Sequence, residues 1–203
     1  MTASSTRRAP VQARSSETVK TILDAASSLL GRVPIEQITT SKIAEAAGLS
    51  VGGLYRFYGD KQEIYDAIAV RELAEFRLQI EKTVHARQLL FTPRKSLNRI
   101  LDSYIEFLDM RPHFRELALG RHISDRTREN QSDPETGPGG ILNDLLVKKL
   151  GLKPGKGLQL KIRIAAEVGD RLIAYAYSQP TQKARKEAID ELKDLLGRYL
   201  LHL

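Results

Sequence analysis

The chain has 203 residues, no cysteine, a formal net charge of +7 and a pI near 9.6. The length suffices for one large domain or two small ones with a real core, and 41% hydrophobic against 28% charged residues is the balance of a soluble globular protein. The lack of cysteine excludes disulfides and thiolate metal sites and fits a cytoplasmic location, and no apolar run approaches the roughly 18 residues of a membrane span.

The positive charge points to a polyanionic partner, but its distribution weakens that argument. Residues 1–69 carry 8 Lys+Arg against 7 Asp+Glu, whereas residues 70–203 carry 24 against 18. Most of the excess lies in the second part, where a basic solvated surface accounts for it equally well.

Residues 1–15 are polar, include Arg7, Arg8 and Arg14, and lack the apolar stretch of a signal peptide. They read as a disordered basic arm, either an unstructured tail or a segment that reaches DNA phosphates or a neighbouring groove. Ser16 is a candidate N-cap for a first helix running to Leu30, with Val19, Ile22, Leu23, Ala26, Leu29 and Leu30 at helical spacing. Gly31 and Pro34 end it, and Ile35 and Ile38 pack the connection that follows.

Residues 39–61 read as helix, tight turn, helix. Thr39 or Thr40 caps the first helix through its hydroxyl, and Ile43, Ala44 and Ala47 share one face. Gly48 closes that helix, because glycine takes the left-handed conformation without steric penalty. Leu49 plugs the turn and Ser50 caps a second helix over Val51–Tyr58. Leu54 and Phe57 or Tyr58 anchor that helix inward, leaving Val51, Gly52, Gly53, Tyr55 and Arg56 outward. This is the layout a helix-turn-helix uses to place its second helix in a major groove.

At these positions the chain resembles the tetracycline-repressor (TetR) family of transcriptional regulators. The matching residues are Thr39-Thr40, Ile43-Ala44, Ala47-Gly48-Leu49-Ser50, Gly52, Leu54-Tyr55, Phe57-Tyr58 and Lys61, then Ile64 and Ala67. The specific resemblance covers residues 17–68; beyond it only the helical layout agrees. It implies phosphate contacts from Thr40, Ser41, Ser50, Gly53, Tyr55 and Lys61, with Val51, Gly52 and Arg56 facing base edges. Val51 could meet thymine methyls and Arg56 the two acceptors of guanine. The chain departs from the family in carrying Val51 where many members have Lys, and Gly53 where Thr or a similar residue is common. The glycine pair weakens the second helix by about 1 kcal/mol per residue against alanine.

Asp60 and Glu63 form a capping-box pattern opening a long helix to about Arg87. After a turn at 88–93, Pro93 starts a helix over 93–110, and Pro112 opens another that carries Phe114, Leu117, Ala118 and Ile123. Residues 124–140, with Pro134, Gly137, Pro138, Gly139 and Gly140, are expected to be a loop, followed by a short helix over 140–150. Residues 151–157 superficially resemble a phosphate loop, but the spacing is short and no Ser or Thr follows the Lys, so that reading is rejected. Two final helices are expected over 157–178 and 180–201, split by Pro180; the first is rich in small residues.

The expectation is an all-α protein of about nine helices: an arm over 1–15, a three-helix helix-turn-helix domain over 16–61, and a helical effector-binding and dimerisation domain over 62–203. The resemblance implies a homodimer formed by the last two helices, bound to a palindromic double-stranded DNA operator. It also implies a small-molecule effector that releases a repressor; a DNA-binding regulator or architectural protein without an effector is the alternative. Candidate effector contacts are Phe76, Leu101, Tyr104, Phe107, Phe114, Leu117, Arg121, His122 and Tyr175, most of which read equally as core. No cofactor is expected. Enzyme chemistry finds no support in the four scattered histidines, since His113 and His122 are not at metal-pair spacing on a helix.

Overall fold

The computed structural model describes residues 8–87, 92–131, 143–144, 146–147, 153 and 155–201. Among these, every regular element is helical. In chain order they are α1 (Arg8–Leu30), a 3-10 turn (Ile35–Gln37), α2 (Thr40–Ala46), α3 (Val51–Tyr55) and α4 (Lys61–Arg87). Then come α5 (Pro93–Met110), α6 (Pro112–Leu119), α7 (Asp125–Gln131), α8 (Lys156–Tyr177) and α9 (Gln182–Leu201). The described residues thus hold nine α-helices and no strand. None of these helices is long and apolar enough to cross a membrane.

The chain divides into two compact units, Met1–Ile68 and Ala69–Leu203. The division falls inside α4. In the first unit, Ile22, Leu23, Ala26 and Leu30 of α1 are buried together with Ile35, Ile38, Ile43, Ala44, Leu54, Ile64, Tyr65 and Ile68. The apolar spacing of α1 is therefore the core face expected for it. The helix begins at Arg8 and not at Ser16, so the expected arm is helical from Arg8 onward. Pro10 lies in the first turn, where a missing N–H costs nothing, and Ala9, Gln12, Ala13 and Arg14 favour helix.

In the second unit the core is built from Phe76 and Ile80 of α4, Leu97, Ile100, Leu101, Phe107 and Leu108 of α5, and Phe114 and Leu117 of α6. Leu158, Ile162 and Ile173 of α8 and Ile189, Leu192, Leu196 and Leu200 of α9 complete it. Pro93 and Pro112 sit in the first turns of α5 and α6, as their chemistry dictates. The small residues of α8 serve the fold directly. Ala165, Gly169 and Ala176 are buried, and a Cβ on Gly169 would meet Leu196 of α9 at 3.9 Å. The α9 helix is further tied to α5 by Lys193–Asp102 at 2.5 Å, Arg185–Asp109 at 2.9 Å and an Arg94–Asp194 pair.

Two expectations change. The loop read over 124–140 begins with a helix, α7. Ser124 accepts the Thr127 N–H at 3.3 Å, and Asp125 lies in the first turn, so a capped helix forms before the Pro and Gly residues begin at Pro134. The α6 helix ends at Leu119, leaving Ile123 buried beyond it. Arg121 there adopts φ 60 and the His122 N–H reaches back to Leu117 O at 3.1 Å, a left-handed helix stop made without glycine. The helix expected over 140–150 lies mostly outside the described residues, as do the turn at 88–91 and much of 151–157.

Candidate nucleic-acid interface

The turn between α2 and α3 is fixed by hydrogen bonds at every step. Thr39 accepts the Lys42 N–H at 3.2 Å, which identifies the cap that the sequence left open between Thr39 and Thr40. Gly48 has φ +68. Its N–H donates to Glu45 O at 3.0 Å, and the Leu49 N–H donates to Ala44 O at 2.9 Å. These are the paired bonds of a Schellman stop, which needs a left-handed residue at the Gly48 position. Ser50 then accepts the Gly53 N–H at 3.0 Å and opens α3.

The α3 helix is shorter than expected, ending at Tyr55 and not at Tyr58. Beyond it the Phe57 N–H turns back to Leu54 O at 2.9 Å, a tightened last turn. Leu54 is fully buried and is the inward anchor, while Phe57 and Tyr58 are only half-buried. Val51, Gly52, Tyr55 and Arg56 are exposed, and Gly53 is partly covered beside Ser50. Of the residues assigned to DNA from the sequence, Ser50, Val51, Gly52, Tyr55 and Arg56 are thus exposed on or beside α3, whereas Thr40, Gly53 and Lys61 are partly covered. Ser41 is exposed on α2, and the Thr40 and Tyr55 hydroxyls lie 3.2 Å apart, bridging the two helices.

Lys61 is used differently from the expectation that it simply projects to a phosphate. Its ammonium donates to Ile38 O at 3.0 Å and lies 5.5 Å from the Tyr65 ring. It thus ties the first turn of α4 to the segment preceding α2. The adjacent cap is a stretched capping box: Asp60 accepts the Glu63 N–H at 2.9 Å, and the Glu63 carboxylate takes the Gly59 N–H at 2.6 Å. Burial, and secondarily the Glu36 charge, pushes the Tyr65 hydroxyl up to about 12. It stays protonated and adds no charge to this face.

The candidate effector residues of the second unit fall into three groups. Phe76, Tyr104, Phe107 and Phe114 form a chain of aromatic contacts, with centroids 5.2, 5.3 and 5.8 Å apart. Leu101 and Leu117 are buried in the core. Arg121 is exposed, His122 is half-buried past the end of α6, and Tyr175 is 57% exposed on α8, on a stripe with Leu160, Ile164 and Arg171.

Asp170 and Arg128 both act electrostatically on Tyr104. Asp170 of α8 is exposed at the surface, yet the protein atoms around its carboxyl push it up to about 6. Desolvation is the main cause, the Glu167 charge adds to it and the Arg128 charge opposes it. The Tyr104 hydroxyl is raised well above its ordinary value by burial first and the Asp170 charge second. No periodic signal could have joined these residues, since they come from α5, α7 and α8. A separate knot holds α4 to the α5–α6 bend. Glu72, 4% exposed, receives Arg111 at 2.9 Å and His113 at 3.1 Å. Burial works to raise the Glu72 carboxyl, but the His113 hydrogen bond and the charges of His113, Arg71 and Arg111 outweigh it and hold the group below its usual range.

Comparison with known proteins matches both units to one family. The family model for bacterial regulatory proteins of the tetR family matches residues 22–68, and that described as Tetracyclin repressor-like, C-terminal domain matches residues 92–203. No curated protein gave a significant match to the sequence. Among solved structures, a TetR-family transcriptional regulator from Streptomyces coelicolor is similar at 25% identity, with 90% of this chain and 97% of that one covered and a TM-score of 0.68. A TetR transcriptional regulator from Rhodococcus sp. RHA1 shares the fold at 13% identity, with coverage of 93% and 99% and a TM-score of 0.67. The transcriptional regulator FadR from Bacillus subtilis, solved in complex with stearoyl-CoA, shares it at 16% identity, with coverage of 91% and 98% and a TM-score of 0.63. With a capped helix-turn-helix in the first unit and the C-terminal family model spanning more than half of the chain, the protein belongs to the TetR family of DNA-binding transcriptional regulators.

Proposed function

We propose that the protein is a homodimeric repressor that binds a palindromic operator and is released by a small-molecule effector. The observation that carries this reading is the exposed face of α2 and α3. Thr40, Ser41, Ser50, Gly53, Tyr55 and Lys61 would hold phosphates, and Val51, Gly52 and Arg56 would face the bases. Dimerisation is supported by the apolar stripe of α8, where Leu160, Ile164 and Tyr175 are exposed at helical spacing, and by exposed Leu195 on α9. Such a stripe is unusual on a monomer and suits a two-fold contact between copies. Effector control is supported by the aromatic chain and the charged groups beside it in the second unit. It is supported further by the stearoyl-CoA bound to FadR, a protein of the same fold.

A ligand can shift DNA affinity only through its different affinities for two conformations, typically worth about 1–3 kcal/mol of coupling. The α4 helix is the continuous element common to both units, and it is where such a bias would act. Sequence selection from random duplexes, combined with sedimentation analysis, tests the reading. A palindromic site bound by a dimer is expected. A monomer at micromolar concentration, or a single unrepeated half-site, would overturn it.

A further inference from the structure

We propose that α8 packs antiparallel against α8 of a second copy, and that reciprocal Glu167–Arg171 ion pairs set the register and restrict the contact to copies of this chain. This deepens the dimer reading above and rests on it. Ile162, Ala165, Gly169 and Ile173 mark the buried face of α8. The other face carries Leu160, Ile164, Glu167, Arg171 and Tyr175, all exposed and spaced by three or four residues. Leu160 at 55%, Ile164 at 41% and Tyr175 at 57% exposure form an open apolar stripe, with one acidic and one basic residue at its middle.

Glu167 and Arg171 stand one turn apart, the spacing of an intrahelical ion pair. They form none, and neither has another hydrogen-bonded or ion-paired partner among the described residues. Once the stripe is covered, each charge needs a partner, and a two-fold axis supplies it. When identical helices pack antiparallel about such an axis, residues equally far from it on either side face each other. An axis level with residues 167–169 sets Glu167 of each copy against Arg171 of the partner subunit. It also sets Leu160 against the partner subunit's Tyr175, because the midpoints of the two pairings differ by only about 2 Å at the rise of a helix. The α9 helix agrees with this level. Lys161 lies 5.9 Å from the Tyr199 ring and Arg185 3.8 Å from the Tyr177 ring, so α9 runs antiparallel to α8 and exposed Leu195 stands close to the axis. There it meets Leu195 of the partner subunit. A parallel contact would instead oppose Glu167 to Glu167 and Arg171 to Arg171, and like charges so placed repel. A chain of the same fold with a different charge order meets the same repulsion or leaves a charge unpaired, which selects against foreign partners.

The test measures dimer dissociation by sedimentation of the full-length chain and of Glu167→Arg and Arg171→Glu, alone and mixed. Each single variant sets like charges against each other twice across the axis, and its self-association should weaken about tenfold or more. Mixing the two variants restores both ion pairs. Differently tagged copies should then associate with each other in preference to themselves, at the strength of the wild type, a rescue that also shows both variants fold. The doubly exchanged chain, carrying Glu167→Arg and Arg171→Glu together, should dimerise with itself and refuse the wild-type chain. Single variants that associate as strongly as wild type, or a mixture no tighter than its components, overturn the Glu167–Arg171 pairing. A wild-type chain that stays monomeric at micromolar concentration overturns the dimer reading itself, and the pairing with it.

Discussion

Replacing Lys61 with alanine separates two roles of one ammonium group. Its bond to Ile38 O at 3.0 Å is charge-assisted, and such bonds contribute about 1.5–3 kcal/mol. The Tyr65 ring at 5.5 Å adds about 0.5–1 kcal/mol. Lys61 is only half-buried, so water screens both and places the sum toward the lower end, about 2 kcal/mol. That loss should appear as a lower urea midpoint with an unchanged m-value. An ammonium has three N–H donors, so one bond to Ile38 leaves two for a phosphate. Operator binding by Lys61→Ala should therefore show a salt slope shallower by about 0.9 for each phosphate that is no longer neutralised. Lys61→Arg keeps the charge and should restore the slope. A variant as stable as wild type would refute the anchoring role. A destabilised variant with the wild-type slope would show that the ammonium serves Ile38 alone.

Arg56→Ala should relax operator preference at one position and weaken binding by about 1–3 kcal/mol if the guanidinium grips a guanine in bidentate fashion; unaltered preferences in a selection experiment would remove it from base readout. Gly48→Ala meets open space but must hold φ +68, so the cost is backbone strain of about 1–2 kcal/mol, readable as a lowered thermal midpoint. Glu72→Gln leaves Arg111 and His113 facing a neutral group and should cost about 3 kcal/mol, the lower end for a broken buried pair because the amide still accepts. Because the folded Glu72 carboxyl lies below 4.5, its stabilisation is present above that pH and is lost as pH falls through the folded value. Acid unfolding of Glu72→Gln should lack that component. Asp170 has the opposite sign: with its carboxyl raised from 3.8 to about 6, the stability of the folded form falls as pH rises through that interval. Asp170→Asn should thus melt higher than wild type above pH 6 and lose the advantage below 3.8.

The helix-turn-helix was legible because it is local. Thr39, Gly48 and Ser50 act on backbone groups within five residues of themselves, and such rules survive without tertiary information. The second bond of Lys61 was illegible for the converse reason, since its partner Ile38 is 23 residues away and is a carbonyl that no side-chain pattern announces. The start of α1 and the existence of α7 were missed because both segments are polar. A helix with little apolar periodicity gives no signal except its cap, and Ser124 was such a cap in plain view. Of the aromatic residues read as core or pocket groups, Phe76, Phe107 and Phe114 are buried, whereas Tyr175 is 57% exposed. Asp170 was not singled out there, because only the meeting of α5, α7 and α8 brings it near Tyr104 and Arg128.

The α3 helix raises an energetic question that bears on assembly. It has five residues, two of them glycine, whereas isolated helices below about 12–15 residues are marginal even in alanine-rich sequences. Its position is held by the Ser50 cap, the Gly48 stop and the complete burial of Leu54, so its order comes from its neighbours and not from its own propensity. On the proposed reading, the outward face offers exposed Arg56 as a charged base reader and exposed Val51 as an apolar one. One good bidentate contact discriminates by about 1–3 kcal/mol, while specific sites typically exceed non-specific DNA by about 4–10 kcal/mol. A single copy of this face falls short of that range. Two copies acting on a palindrome double the readout and halve the freedom each half-site must restrict. On the proposed reading, the exposed Leu160, Ile164, Tyr175 and Leu195 surface, far along the chain from α3, would be as necessary to sequence recognition as α3 itself.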